Sequence, residues 1–203
     1  MGKVDENKQQ KLDSLFKSAY DLFLLQGIEK TSIHDIVKNA GVAKGTFYLY
    51  FKDKYEIRNR LIAKTANRLF LTAHQELEKA NIPAFEDKII FIVDYVIQRL
   101  KENPPVLQFI SKNLSWGIFR QALTVNESAQ EINSLKYFQN LLNESSVRLR
   151  SPETMLFLII ELTSSASFST VLENDPVSFV ELKPDLYDAI RAIIRNHIIA
   201  GDE

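Results

Sequence analysis

Apolar residues recur along this chain at steps of three and four, with no sustained alternation of apolar and polar positions. The pattern predicts an all-α fold of about nine helices. Leu12, Leu15, Phe16, Ala19, Leu22 and Phe23 form one stripe of a helix over residues 7–26, which Gly27 ends in the C-terminal capping position. Thr31 and Ser32 open a short helix, with Asp35 where a capping box places its acid and with Ile33, Ile36, Val37 and Ala40 facing inward. Gly41 stops it. A third short helix covers residues 43–51, and a polar break at Lys52-Asp53-Lys54 leads into a long helix running towards Asn81. Further helices are predicted over residues 83–100, 106–123, 127–150, 152–173 and 184–200, with Pro83, Pro152 and Pro184 as openers. Asn103-Pro104-Pro105 and Asn174-Asp175-Pro176 read as stops.

Charge divides the chain in two. The net charge is −1, yet residues 1–68 hold 13 Lys/Arg against 8 Asp/Glu, and the remainder holds 12 against 18. A basic head on an acidic body suits a polyanion ligand at one end; uneven scatter of solvated charge gives the same count. The expected division is a helix-turn-helix domain over residues 1–54 and a helical ligand-binding and dimerisation domain over residues 55–203.

Composition narrows the chemistry. With 45% apolar residues in 203, a packed core is expected. Cysteine is absent, which removes disulfides, thiolate metal ligands and a thiol nucleophile. The first residues lack the apolar segment of a secretory signal. The longest unbroken apolar run, residues 155–160, falls short of the roughly 20 residues of a membrane helix. The expectation is a cytoplasmic protein without a membrane partner. His34, His74 and His197 are scattered over different helices, and no metal-binding pair, glycine-rich phosphate loop or nucleophile elbow occurs. An enzyme is therefore not indicated, and neither metal nor cofactor is expected.

Two short helices meeting at a glycine make a helix-turn-helix, a corner common in helical proteins. The third helix sharpens it. At about 100° per residue, Phe47 and Phe51 share one inner side. Gly45, Thr46, Tyr48 and Leu49 turn sideways or outward, with Lys44 at the exposed start. A glycine in that face costs on the order of 1 kcal/mol relative to alanine, which close approach of DNA would justify. Lys44 suits a guanine edge or a phosphate, Thr46 and Tyr48 suit phosphates or bases, and Leu49 suits a thymine methyl.

The stretch from Thr31 to Lys54 resembles the DNA-binding signature of TetR-family regulators. It carries Ala40-Gly41-Val42, then Gly45-Thr46-Phe47-Tyr48, the aromatic pair Tyr50-Phe51, and Lys52-Asp53-Lys54. The match spans roughly residues 9–58, ungapped, with Val37 where the family often has alanine. The resemblance implies a recognition helix at 43–51 with Lys44, Gly45, Thr46, Tyr48 and Leu49 facing the major groove. It implies phosphate contacts from Tyr50, Lys54 and the helix start at Thr31 and Ser32. Tyr50 packed under the fourth helix remains an alternative, and Lys52 reads as a solvated charge.

The body reads less sharply. Residues 155–162 are apolar nearly all round, and Thr163, Ser164, Ser165, Ala166, Ser167, Ser169 and Thr170 are small. Small residues allow close helix packing, so the last two helices suit a four-helix homodimer interface, as in the family, or else an intramolecular core. Two heads on a two-fold axis would read a palindromic double-stranded DNA operator. The resemblance implies a small-molecule effector pocket in the body. Trp116, beside Gly117, is the leading candidate for its wall, together with Phe119, Tyr95, Phe109 and His74. Each aromatic reads equally as core, and His74 as a surface or satisfied histidine. Few charges lie among the aromatics, which points to an apolar or amphipathic effector, and the resemblance implies repression released by it. The alternative is a body that answers to a protein partner.

Overall fold

The computed structural model describes residues 3–111, 134–145 and 147–199. Among them nine helices occur: α1 (Lys3–Gln26), α2 (Ile33–Ala40), α3 (Lys44–Tyr48), α4 (Lys54–Ala80), α5 (Phe85–Lys101), α6 (Pro104–Ser111), α7 (Ser134–Glu144), α8 (Pro152–Leu172) and α9 (Phe179–His197). The described residues form no strand, only an isolated bridge between Leu149 and Ile198. The all-α expectation holds.

Several boundaries differ from the pattern for local reasons. The first helix begins at Lys3, with Asp5 and Glu6 in the first turn, where acids favour the positive end of the helix dipole. The last helix begins at Phe179, ahead of Pro184. Ser178 caps it, accepting from the Glu181 N–H while the Glu181 carboxylate accepts from the Ser178 N–H, and Pro184 lies inside the helix. The helix expected over 127–150 ends at Glu144. Beyond it the Arg150 N–H donates to the His197 carbonyl and the Ile199 N–H to that of Arg148, at 2.8 Å each. This pairing takes the backbone groups that further helix would have used.

The chain forms two compact units, residues 1–64 and 65–203, dividing inside α4. The sequence pattern alone places that break at Lys52-Asp53-Lys54. In the first unit Leu15, Phe16, Ala19 and Phe23 of α1 are buried, as are Ile36, Val37, Phe47 and Phe51, with Ile57, Leu61 and Ile62 from the start of α4. The Phe16 and Phe51 rings meet edge to face at 5.3 Å, and Phe47 lies 5.4 Å from Phe51. Ser18 ties α1 to α2 by donating to the buried Ile36 carbonyl at 2.7 Å.

In the second unit α5 presents Phe85, Ile89, Val93 and Ile97, and α9 presents Leu186, Ile190 and Ile194. These pack with Leu77, Leu141, Met155, Ile159 and Phe179 in one core. Pro152 stands at the start of α8, and Asn174 follows its end in the left-handed region (φ 53°). By length and composition α8, with 21 residues and a mean hydropathy of 1.6 over its most apolar window, would reach across a membrane. The short unbroken run at 155–160 therefore understated it. The helix contributes Met155, Ile159 and Ile160 to the buried residues of this unit, leaves Phe157 and Leu158 exposed, and carries a polar Ser/Thr stripe.

Candidate nucleic-acid interface and effector cavity

The turn between α2 and α3 is built by local chemistry. Ser32 accepts from the Asp35 N–H at 3.2 Å, and the Asp35 carboxylate accepts from the Ser32 N–H at 2.9 Å and from its hydroxyl at 2.6 Å. These hydrogen bonds from Ser32 hold the Asp35 carboxyl below its ordinary value. Gly41 ends α2 at φ 68°, a left-handed conformation that side-chain-bearing residues rarely adopt. Its N–H and that of Val42 return to the carbonyls of Lys38 and Val37. The chain then enters α3, and beyond Tyr48 the N–H groups of Tyr50 and Phe51 still bond the Phe47 carbonyl at 3.0 and 2.9 Å. The helical turn thus continues to Phe51.

Phe47 and Phe51, 0% and 2% exposed, anchor this turn in the core, whereas Tyr48 is 52% and Leu49 80% exposed. Lys44 and Gly45 are exposed and Thr46 is half-buried. A Cβ added to Gly45 would meet nothing within 4 Å, and its backbone needs no positive φ. Neither packing nor conformation within the chain requires a glycine there.

Three phosphate-contact expectations look different in the fold. Thr31 is 1% exposed, and its hydroxyl donates to the Gly27 carbonyl at 2.8 Å, so its side chain tethers the turn after α1 instead of reaching outward. The Lys54 ammonium donates to the carbonyls of Ile28, Glu29 and Thr31 at 2.9, 3.2 and 3.1 Å. It fastens the start of α4 to that same turn, and its three N–H donors match three acceptors. Tyr50 is half-buried and donates from its hydroxyl to the Lys8 carbonyl at 3.1 Å, linking the recognition turn to α1. Ser32 stays exposed at the start of α2. Asp53 caps α4 by accepting from the Tyr55 and Glu56 N–H groups, and the Lys52 N–H donates to Glu56 at 2.8 Å. That backbone donor is the main reason the Glu56 carboxyl lies below its usual value.

A cavity of about 140 Å³ lies within the second unit. Ala66, Leu69, Phe70 and His74 of α4 line it, with residues of α5 such as Ile89 and Val93, Tyr137 and Phe138 of α7, and Leu156, Ile159, Thr163, Ser164 and Ser167 of α8. Of the residues expected there, His74 is at the wall. Its ring lies 4.1 Å from that of Tyr137, and its Nε2 lies 3.5 Å from the Glu78 carboxylate. Burial pushes the His74 imidazole below its ordinary value, with Glu78 and Glu144 opposing.

Tyr95 and Phe109 are not in the wall. Tyr95 lies on the far side of α5 from Ile89, Val93 and Ile97, stacked on Phe91 at 6.5 Å, and its hydroxyl accepts from Arg99 at 3.1 Å. Phe109 is buried on α6, whose Ile110 reaches the cavity instead. Trp116 and Phe119 fall outside the described residues. Thr163, Ser164 and Ser167, read from sequence as small residues for helix packing, are wall residues. Their spacing puts them on one side of α8, a signal hidden because that helix is apolar on its other sides as well.

Residues 15–61 match the description "Bacterial regulatory proteins, tetR family". The chain is 40% identical to the uncharacterized HTH-type transcriptional regulator YvdT of Bacillus subtilis (strain 168) over 77 residues, 38% of this chain and 37% of that one. It thus matches little more than a third of that relative's length. It is 27% identical to the uncharacterized HTH-type transcriptional regulator YdgC of the same strain, over 81% of this chain and 84% of the relative. Among solved structures it resembles the transcriptional regulator FadR from Bacillus subtilis in complex with stearoyl-CoA. The TM-score is 0.58 at 16% identity, covering 88% of this chain and 97% of that one, a likeness of fold.

Proposed function

Since the chain belongs to the TetR family of bacterial transcriptional regulators, we propose that it is a cytoplasmic repressor that binds a palindromic operator as a homodimer and is released by a small effector. The observation that carries the DNA reading is the outer face of α3. Lys44, Gly45, Tyr48 and Leu49 are exposed over a core fixed by Phe47 and Phe51. An exposed leucine beside an exposed tyrosine and a glycine that nothing in the fold demands suits a major groove, where a backbone and a methyl contact have something to meet. Lys44, Thr46 and Tyr48 supply polar contacts, with Ser32 beside them on phosphates, while Tyr50, whose hydroxyl donates to the Lys8 carbonyl, ties this turn to α1. Thr31 and Lys54 act by holding the turn that positions these groups.

The dimer reading rests on the outer faces of the last two helices. On α8 Thr154, Phe157, Leu158, Glu161 and Ser165 are exposed at helical spacing, and on α9 Asp185, Asp188, Ala189, Ala192 and Asn196 are. Two such helices from each protomer make a four-helix interface, and its two-fold axis matches the symmetry of a palindrome.

The effector reading rests on the cavity and on α4. That helix supplies Ile57, Leu61 and Ile62 to the core of the DNA-binding unit and Ala66, Leu69, Phe70 and His74 to the cavity wall. A ligand that displaces the second stretch acts on the first through one continuous helix. It lowers operator affinity by its differential affinity for the two states. FadR, whose fold this chain shares, is described in complex with stearoyl-CoA, which supports an apolar or amphipathic effector here.

The test is binding of the purified protein to the DNA flanking its own gene, against random competitor DNA, followed by a panel of lipids, drugs and dyes. Preferential binding lost on adding one compound class is the expected result. Equal affinity for random DNA would overturn the regulator reading. Specific binding that no compound disturbs would overturn the small-effector reading and leave a protein signal.

A further inference from the structure

Among the described residues the cavity wall is mainly apolar, with His74, Tyr137, Thr163, Ser164 and Ser167 as its polar members. On α8 the hydroxyls of Thr163 and Ser167 are buried and have no hydrogen-bond partner, and Ser167 is only 2% exposed. Buried hydroxyls almost always find a partner. A helical Ser or Thr has one ready in the carbonyl four residues back. Thr170, on the same helix, uses it and donates to Ala166 at 2.7 Å. Thr163 and Ser167 do not, though both line the cavity and stand one helical turn apart on the same face.

The electrostatics of the wall limit what such a patch can hold. Among the described residues lining the cavity, none carries a fixed charge. His74 is the titratable group closest to a cation there, and burial favours its neutral form. An anionic group brought into this space would lose its hydration without gaining a fixed positive partner among the described lining residues. A neutral group with a hydrogen-bond donor or acceptor would instead complete the two hydroxyls.

We infer that the patch formed by Thr163 and Ser167 is the polar anchor of the effector site, and that the ligand it takes is a compact, uncharged, mainly apolar molecule bearing a single hydroxyl, carbonyl or amide group. This rests on the effector reading of the cavity and adds the ligand class to it. The volume of about 140 Å³ is that of a space that accommodates one benzene-sized ring when its walls are aliphatic and aromatic. The flat faces of Phe70, Tyr137 and Phe138 at the wall suit a ring as well.

The experiment uses the full chain and three probes of one shape: toluene, benzyl alcohol and benzoate. Dissociation constants come from methyl-group NMR titration, for the wild type and for a Thr163→Val, Ser167→Ala double variant. The variant removes two hydroxyls that have no partner, so it should keep or raise the melting temperature. The wild type should bind benzyl alcohol about tenfold more tightly than toluene, and the variant should bind the two about equally. Benzoate should bind at least about a hundredfold more weakly than benzyl alcohol to both proteins. An unchanged alcohol-to-toluene ratio in the variant, benzoate binding as tight as the alcohol, or no binding by any probe each overturns the anchor. Operator release, followed by fluorescence anisotropy of labelled DNA, separates the two ideas. Discriminating binding without release leaves the anchor and overturns the effector reading; equal release by all three probes does the reverse.

Discussion

The ammonium of Lys54 donates at 2.9 Å to the carbonyl oxygen of Ile28, a residue 26 positions earlier, and also to the carbonyls of Glu29 and Thr31. It therefore anchors the first turn of α4 to the loop that follows α1. Lys54→Met keeps the aliphatic stem and removes the three bonds. The DNA-binding unit should lose about 1–3 kcal/mol, as expected for hydrogen bonds to a charged group. The slope of log affinity against log salt should stay unchanged, because each phosphate contact contributes about −0.9 to it. Denaturant melts and anisotropy titrations at several salt concentrations check both; a shallower slope would place Lys54 on a phosphate.

Gly45 offers a sharper test of the recognition helix. Nothing lies within 4 Å of where its Cβ would be, and no left-handed backbone requires glycine. Gly45→Ala should stabilise the free protein by up to about 1 kcal/mol through helix propensity. On the proposed contact it should nevertheless weaken operator binding, because the added methyl would stand between the groove and the backbone. Thermal melts and gel shifts should move in opposite directions. A variant that binds as well as the wild type would remove the close approach.

Lys44→Ala should weaken operator binding by about 1–3 kcal/mol if the side chain reads a base edge, while sedimentation reports the same oligomeric state as for the wild type. Lys44 is exposed and lies far from the outer faces of α8 and α9 in sequence. Equal affinity for the operator would take Lys44 out of the interface.

Ser165 is exposed on α8, in line with Phe157, Leu158 and Glu161. Ser165→Arg should give monomers in sedimentation velocity and weaken binding to a palindrome, because only one half-site is then held. Far-ultraviolet circular dichroism should be unaltered, since the side chain is not part of the core. A dimer that persists would remove this face of α8 from the interface.

Asp94 and Tyr187 join α5 to α9 by a hydrogen bond from the phenol to the carboxylate, and Lys183 adds an ion pair at 2.9 Å. Burial by itself would raise the Asp94 carboxyl, but hydrogen bonds from Tyr187 and Lys183 outweigh it and hold the group below its usual value. Burial, and then the bond to Asp94, push the Tyr187 phenol well above its ordinary range. The depressed Asp94 value stabilises the fold above the unfolded value of about 4, and this is lost as pH falls through the lower folded value. The raised Tyr187 value stabilises below about 10 and is lost as pH climbs further. Tyr187→Phe should therefore cost about 1–2 kcal/mol between roughly pH 5 and 9, discounted for partial exposure, with the difference shrinking towards both ends. Melts of the two proteins from about pH 3 to about pH 11 check the shape of the difference.

The sequence by itself determined whatever depends on neighbours a few positions apart. The stripe of Leu15, Phe16, Ala19 and Phe23, the Ser32–Asp35 capping box and the left-handed stop at Gly41 are local, because a helix and its ends are specified within a turn or two. The outward set Lys44, Gly45, Tyr48 and Leu49 was legible for the same reason, once Phe47 marked the inner side. Only the tertiary structure decided what depends on residues far apart in the chain. Thr31 and Lys54 look like phosphate ligands until α1 and its following turn supply the carbonyls that hold them. Tyr95 looks like a wall aromatic until the packing of α5 turns it away from the cavity. The Ser/Thr stretch of α8 is the clearest case. With apolar residues on its other sides, that helix carries no sequence signal of which face meets the cavity. The arrangement of α4, α5 and α7 puts Thr163 and Ser167 on the cavity wall.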